Sequence, residues 1–222
     1  MRRFRWKRRR AALALLPAAA MMLTAGIAGA SGPVPALSGT EPTATPSGGQ
    51  PRAISLNGRR HVRAQRTVTF RGHLTPASTR RVVIRVGGTK LRVRTNEDGG
   101  FRARWRPSRA GVYEALARVE GVPIRSRKLQ VNVYRPAAAS YYGPGLYGGA
   151  LACGGTLSAG TAGVANKSLP CGTRLSLRYG KRTVRVQVID RGPYSGNREF
   201  DLTAATKAKL GFPSTGTVLS TR

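Results

Sequence analysis

Thr183-Val184-Arg185-Val186-Gln187-Val188-Ile189-Asp190-Arg191-Gly192-Pro193-Tyr194 decides the fold of the C-terminal third of this 222-residue chain. Valines alternate with polar residues from Thr183 to Val188, the period of a strand with one buried face. That strand delivers the Asp190 carboxylate to Gly192-Pro193, a strong turn signal. Asp201-Leu202 follows eleven residues after Asp190, and the spacing predicts a short helix over 201–210, closed by Gly211. An aspartate at the mouth of a helix suits an N-cap; a second site carboxylate is the alternative. Upstream, Arg174 to Tyr179 forms a partner strand, joined through the Gly180-Lys181 turn.

The other end of the chain is an address. Arg2, Arg3, Arg5, Lys7, Arg8, Arg9 and Arg10 form a basic n-region, Ala11 to Ile27 is uncharged and mostly apolar, and Ala28-Gly29-Ala30 offers a small-x-small cleavage site. A signal peptide over 1–30 is expected, with Ser31 as the mature start and export by the general secretory route. A transmembrane anchor is the competing reading, but the apolar run is short for spanning and is broken by Pro17. No cysteine near the cleavage site supports lipid anchoring, so no stable membrane anchor is expected after cleavage.

Export governs the cysteines and the charge. The two cysteines are Cys153 and Cys171. An isolated pair in an oxidising compartment suits a disulfide. Metal binding is the alternative, and the region around the pair holds no histidine to complete a ligand set. Loss of the seven n-region charges takes the formal net charge from +31 to +24. Nucleic acid is the usual partner of so basic a chain, but an exported chain rarely meets it. Anionic wall polymers, peptidoglycan carboxylates and lipid headgroups are the polyanions of a cell envelope. A merely solvated basic surface is the bland alternative.

Residues 31–52, rich in Pro, Gly, Ser and Thr, are expected as a disordered linker. Over 53–135, short alternating runs recur: Thr67 to Phe70, Arg81 to Val86, Lys90 to Arg94, Phe101 to Trp105, Val112 to Val119 and Lys128 to Tyr134. Turn signals separate them at Gly87-Gly88, Asn96 to Gly100, Pro107-Ser108 and Gly121, which predicts an antiparallel β-sandwich. Asp98-Gly99-Gly100-Phe101 followed by Gly111-Val112-Tyr113 resembles the bacterial immunoglobulin-like modules of surface proteins. Arg102, Arg104 and Arg106 share one strand face, opposite Phe101, Ala103 and Trp105. Residues 31–139 hold 21 Lys and Arg against 5 acids, and residues 140–222 hold 11 against 3, so the basic character is concentrated in the sandwich. Pro136 to Ser140 is expected as a hinge over 136–140, with the second domain over 141–222. His61 and His73 are the only histidines, and neither lies in a metal-binding or catalytic pattern; no cofactor is implied.

Four motifs in order carry a more specific likeness: Ser140-Tyr141-Tyr142-Gly143, Ser168-Leu169-Pro170-Cys171-Gly172-Thr173, the strand ending at Asp190, and Asp201-Leu202. Together they resemble the RlpA-like (rare lipoprotein A) double-psi β-barrel, a relative of the expansin barrel, over Ser140 to Arg222. The fold expected for the chain is therefore mainly all-β: an Ig-like sandwich followed by a six-stranded double-psi barrel with one or two short helices. The resemblance implies peptidoglycan glycan strands as the partner. It also implies Asp190 as the acid/base of a lytic transglycosylase, with Asp201 at the second acidic position used by expansins. Tyr142, Thr156, Asn166, Arg191 and Tyr194 are the substrate-contacting side chains it suggests. In such an enzyme one acid protonates the glycosidic oxygen and the muramic C6 hydroxyl attacks C1, so no water is consumed and a single acid/base can serve. Active members of the family add a Glu, an Asp and a His; here those positions fall on Gly155, Ser158 and Asn166. Asn166 can hydrogen-bond a sugar but cannot transfer a proton.

Three functions are consistent with these residues. The first is a secreted, wall-associated protein, monomeric, that binds peptidoglycan without cleaving it. The second is a lytic transglycosylase resting on Asp190. The third is a polyanion-binding adhesin or inhibitor that works through the basic sandwich.

Overall fold

The computed structural model describes residues 49–222; the expected signal peptide and most of the expected linker lie outside the described residues. Eight strands come first: β1 (Ala53–Ile54), β2 (His61–Arg63), β3 (Val68–Thr75), β4 (Arg81–Val86), β5 (Thr89–Arg94), β6 (Gly100–Trp105), β7 (Gly111–Val119) and β8 (Leu129–Tyr142). β1, β3 and β6 form one antiparallel sheet. β5, β4, β7 and the first half of β8 form the other, with β2 laid parallel against β8. Alternation settles which face is which. Val68, Phe70 and Leu74 on β3 and Phe101, Ala103 and Trp105 on β6 meet Val82, Ile84 and Val86 on β4 and Val131 and Val133 on β8 in one buried core. Gly87 and Gly88 both take positive φ (+52° and +78°), the backbone that a two-residue β4–β5 hairpin requires.

Beyond β8 lie β9 (Val164–Ala165), β10 (Arg174–Tyr179), β11 (Arg182–Asp190), β12 (Phe200–Thr203), α1 (Ala204–Leu210) and β13 (Gly216–Ser220). Followed by pairing, the order is β8, β12, β9, β11, β10, β13 and back to β8. Six strands thus close on themselves and leave no open edge. Two of the junctions, β9–β11 and β8–β12, are parallel, consistent with the double-psi barrel implied by the sequence. Val164, Leu175, Leu177, Val186, Val188, Phe200, Leu202 and Val218 fill the interior, with Leu210 and Phe212 from α1 and its exit.

Two expectations change. Residues 136–140 are not a hinge: β8 is one strand of 14 residues. Its first half pairs with β7, and its second half pairs with β13 from Arg135 to Ala139 and with β12 from Ala139 to Tyr142. Pro136 and three alanines have weak strand preference, but the barrel overrides it, because Ala137 and Ala139 are buried in its core and the backbone pairs with β13 and β12. Asp201 is not a helix cap. It lies inside β12, and Thr203 caps α1 by accepting from the Thr206 N–H. The helix starts three residues later than predicted because Phe200–Thr203 is claimed by parallel pairing with β8.

Candidate functional site

One row of the barrel wall gathers the acids. Asp190 on β11 and Asp201 on β12 both stand beside Ala165 on β9, and Asp201 stands beside Ser140 on β8. Residues paired this way share a sheet face, so Asp190, Ala165, Asp201 and Ser140 form a line across four strands. Two strand spacings put the acid backbones about 10 Å apart, with only a methyl group between them. The β9–β11 register shifts between Val188 and Asp190, an irregularity of the kind that re-aims a side chain at a strand end.

The two carboxylates are held differently. Asp190 Oδ1 accepts from the backbone N–H of Ala152 (2.9 Å) and of Arg191 (2.8 Å), so it ties the 143–163 loop to the end of β11. Asp201 Oδ1 accepts from Ser140 Oγ at 2.7 Å. Burial raises the Asp201 carboxyl above the ordinary aspartate range; Ser140 and the Arg198 charge pull it down, and Asp190 pushes it further up. Neither aspartate is in an ion pair among the described residues, where the three pairs are Arg81–Glu120, Lys128–Glu114 and Arg135–Glu199.

Tyr142 lies two residues beyond Ser140 along β8, on the same face. Burial first, then the charge and proximity of the Asp190 carboxylate as a hydrogen-bond acceptor, and last the charge of Asp201 hold its phenol well above the usual tyrosine value, so it stays a neutral donor at any physiological pH. Its hydroxyl is buried, yet it forms no hydrogen bond of good geometry, even to nearby Asp190. An unpartnered buried donor is costly and uncommon. Here it stands among acceptors belonging to two carboxylates.

The other expected site residues divide. Tyr194 is 80 % exposed and free to stack. Thr156 is exposed on the loop that also carries Ala152, bridged to Ala150. Asn166 is not available to a sugar: it is buried, its amide donates to Glu199 O (2.9 Å), and its carbonyl oxygen accepts from Ser168 N and Leu169 N. Arg191 is not available either. Its guanidinium donates to the carbonyls of Asn166 (3.0 Å) and Leu169 (2.8 Å) and lies 3.1 Å from Cys171 Sγ. Both are occupied in shaping the 166–171 turn. Cys153 and Cys171 are bonded, and the bond staples the Ala152 loop to that turn. Of the positions where the resemblance led to an expected Glu and Asp, Gly155 is exposed with positive φ (+81°) and open space above it. Ser158 closes a small turn with Thr161. Sequence reasoning missed Ser140 as the partner of Asp201 and the Ala152 N–H as the partner of Asp190. Ser140 stands in the opening Ser-Tyr-Tyr-Gly motif, so it carried a signal; a backbone donor carries none.

Comparison with known proteins bears on the barrel. Residues 137–219 match a domain family described as lytic transglycolase. A Synechocystis protein named probable endolytic peptidoglycan transglycosylase RlpA is 34% identical over 110 residues, covering 44% of this chain and 34% of its own. The endolytic peptidoglycan transglycosylase RlpA of Campylobacter jejuni is 36% identical over 81 residues, covering 36% and 30%. That of Pseudomonas aeruginosa is 38% identical over 81 residues, covering 36% and 24%. The chain thus spans between a quarter and a third of the length of these relatives. Among solved structures, the Streptomyces papain inhibitor aligns with 25% identity and a TM-score of 0.33, covering 39% of this chain and 90% of its own. The C-terminal barrel is an RlpA-like lytic-transglycosylase domain, joined to an upstream sandwich that the family match does not cover.

Proposed function

We propose that this protein acts on peptidoglycan outside the cytoplasm, and that its barrel grips glycan strands over the face carrying Tyr142, Asp190 and Asp201. The observation that carries this reading is the buried Tyr142 hydroxyl, held against Asp190 without a well-formed hydrogen bond, beside two carboxylates that form no ion pair among the described residues. A donor and several acceptors held ready in one place suit a ligand rich in hydroxyls, because such a site loses little on desolvation when the ligand satisfies it. Tyr194, exposed at the end of the Gly-Pro turn, supplies an apolar ring for a sugar face. Binding without turnover is the favoured form. Gly155 and Ser158 offer no carboxylate or imidazole, and Asn166 is spent on holding its own turn.

One observation favours cleavage instead. Asp201 is half-buried, with its carboxyl raised mainly by burial, the condition for a carboxylic acid to retain a proton and give it to a leaving oxygen. In that reading Asp201 protonates the glycosidic oxygen as its bond to C1 breaks, the C6 hydroxyl of the muramic residue attacks C1 and gives its proton to the Asp201 carboxylate, and a 1,6-anhydro end is left. Asp190 would orient the sugar through Oδ2, the oxygen that its backbone donors leave open.

Incubation of the purified chain with sacculi separates the two. Pelleting with no release of 1,6-anhydromuropeptides supports binding alone. Release that is lost in Asp201→Asn or Asp190→Asn, with pelleting kept within a few-fold, supports cleavage. Failure to pellet and failure to release together would sink both readings.

A further inference from the structure

The outer face of the β1–β3–β6 sheet is strongly basic and, among the described residues, carries no carboxylate partner. Its exposed positions include Arg71 on β3 and Arg102 and Arg104 on β6, with Arg106 next in line. Arg71 stands directly opposite Arg102, and like charges facing each other across strands are destabilising. Asn57 bridges to Arg71 from the other side, and Arg59 is exposed two residues further on. A cavity of about 510 Å3 opens here, lined by Asn57, Gly58, Arg59, Thr67, Thr69 and Arg71. The opposite sheet is basic too, but Glu114 and Glu120 are already paired on it. None of the three ion pairs among the described residues touches the β1–β3–β6 face.

We propose that this face binds a linear phosphodiester-linked polyanion built on short polyol repeats. Alternate residues on a strand are about 7 Å apart, so Arg102 and Arg104 present cations one such step apart, and Arg106, whose Nε donates to Gln65 O, continues the row with its two remaining nitrogens. A backbone with one phosphate per short repeat matches that spacing, and each guanidinium fork can grip a phosphate through two donors. Peptidoglycan sets its carboxylates on side peptides instead of along the strand. Single-stranded nucleic acid has the phosphates, but its binders stack the bases on aromatic rings. The exposed large apolar side chains of the described residues are Val112, Leu146, Tyr147 and Tyr194, and none belongs to this sheet. The polyanion site is independent of the barrel face, so the protein would hold two wall components at once.

The full chain would be titrated with fluorescent poly(glycerol phosphate) at several salt concentrations. Arg71→Gln/Arg102→Gln/Arg104→Gln should weaken binding at least tenfold and flatten the log–log salt dependence by about 2, since each phosphate contact contributes roughly 0.7 to the slope for a single strand. Arg85→Gln/Arg92→Gln/Arg118→Gln removes the same charge from the other sheet and should weaken binding less than threefold. Without polymer, Arg102→Gln alone should melt no lower than wild type, because it relieves the opposed pair. If the triple variant fails to fold, Arg102→Gln alone should still weaken binding roughly twofold to threefold. Equal losses in both triples, no loss in either, or equally tight binding of polygalacturonate or an oligodeoxynucleotide of matched charge would overturn the proposal.

Discussion

Polar side chains do opposite jobs in the two halves of this molecule. In the sandwich the arginines face outward: Arg71, Arg85, Arg92, Arg102 and Arg104 are exposed over an apolar core, and only a few buried groups such as Thr95 and Ser126 hold turns. In the barrel polar side chains turn inward and hold loops. Asn166 and Arg191 fold the 166–171 turn, Thr203 and Thr206 bond the backbone of Gly163, and Asp190 anchors Ala152. Connection length explains the contrast. The sandwich connections are short, from the Gly87-Gly88 turn of β4–β5 to 120–128 between β7 and β8, whereas 143–163 separates β8 from β9 in the barrel. A closed barrel with parallel junctions needs long crossovers, and their backbone groups must find partners. A polar substitution should therefore cost stability in the barrel and binding in the sandwich.

The largest test asks whether the halves are separable. β8 supplies strands to both, and Arg185 Nη2 donates to Gln130 Oε1 across the junction at 2.7 Å. A fragment of 141–222, cut at the boundary the sequence suggested, loses the β13 partner residues 135–139. It should fail to give a cooperative melt by circular dichroism, whereas the described chain should melt with both halves coupled. A cooperative melt of that fragment would show that the strand is shared in geometry but not in energy.

Next in size is the staple. Cys153→Ser/Cys171→Ser reopens a loop with a sequence separation of 18, and loop-closure entropy puts the loss at about 3 kcal/mol. The contrast sharpens if the melt shows the loss and sacculus binding falls with it, since the bonded loop also carries the Ala152 donor to Asp190. Unchanged sacculus binding would mean that the loop stays in place on hydrogen bonds alone.

Asn166→Ala and Arg104→Ala compare the two kinds of polar residue directly. The first strands the Ser168 and Leu169 N–H groups and the Glu199 carbonyl, and should cost about 2 kcal/mol. The second removes an exposed side chain and should stay within about 0.5 kcal/mol. Equal costs in urea unfolding would dissolve the distinction.

The same contrast decided what could be seen in the sequence. Strands β4, β5, β6, β10 and β11 were legible because their apolar period is local. The sandwich arginines and the two cysteines were legible because composition alone places them. What escaped depends on distant partners. β9 has two residues and exists through β11 and β12. Asp201 and Thr203 both suit a helix cap, and only parallel pairing with β8 chooses between them. Asn166 resembled a site residue because it falls where the family likeness led to an expected histidine; its inward turn depends on the Glu199 carbonyl, 33 positions away.

The smallest expected effect concerns the carboxylate that behaves least like a surface acid. A carboxyl raised on folding binds its proton more tightly in the native state than in the unfolded chain. Its contribution to stability is thus greatest at low pH and is lost as pH climbs from the ordinary value near 3.8 through the raised one. Other carboxylates that are stabilised by folding give the opposite trend, so the useful quantity is a difference. Asp201→Asn cannot ionise and can still accept from Ser140 Oγ. Its melting temperature minus that of wild type should grow as pH rises from about 3.8 and level off above the native Asp201 value. In an Asp190→Asn background the difference should shrink, because Asp190 is one of the charges that raise Asp201. A difference that falls with rising pH would mean that Ser140 and Arg198 outweigh burial. Asp201 would then be a held anion like the acids paired in the sandwich, and the barrel would have no group suited to donate a proton.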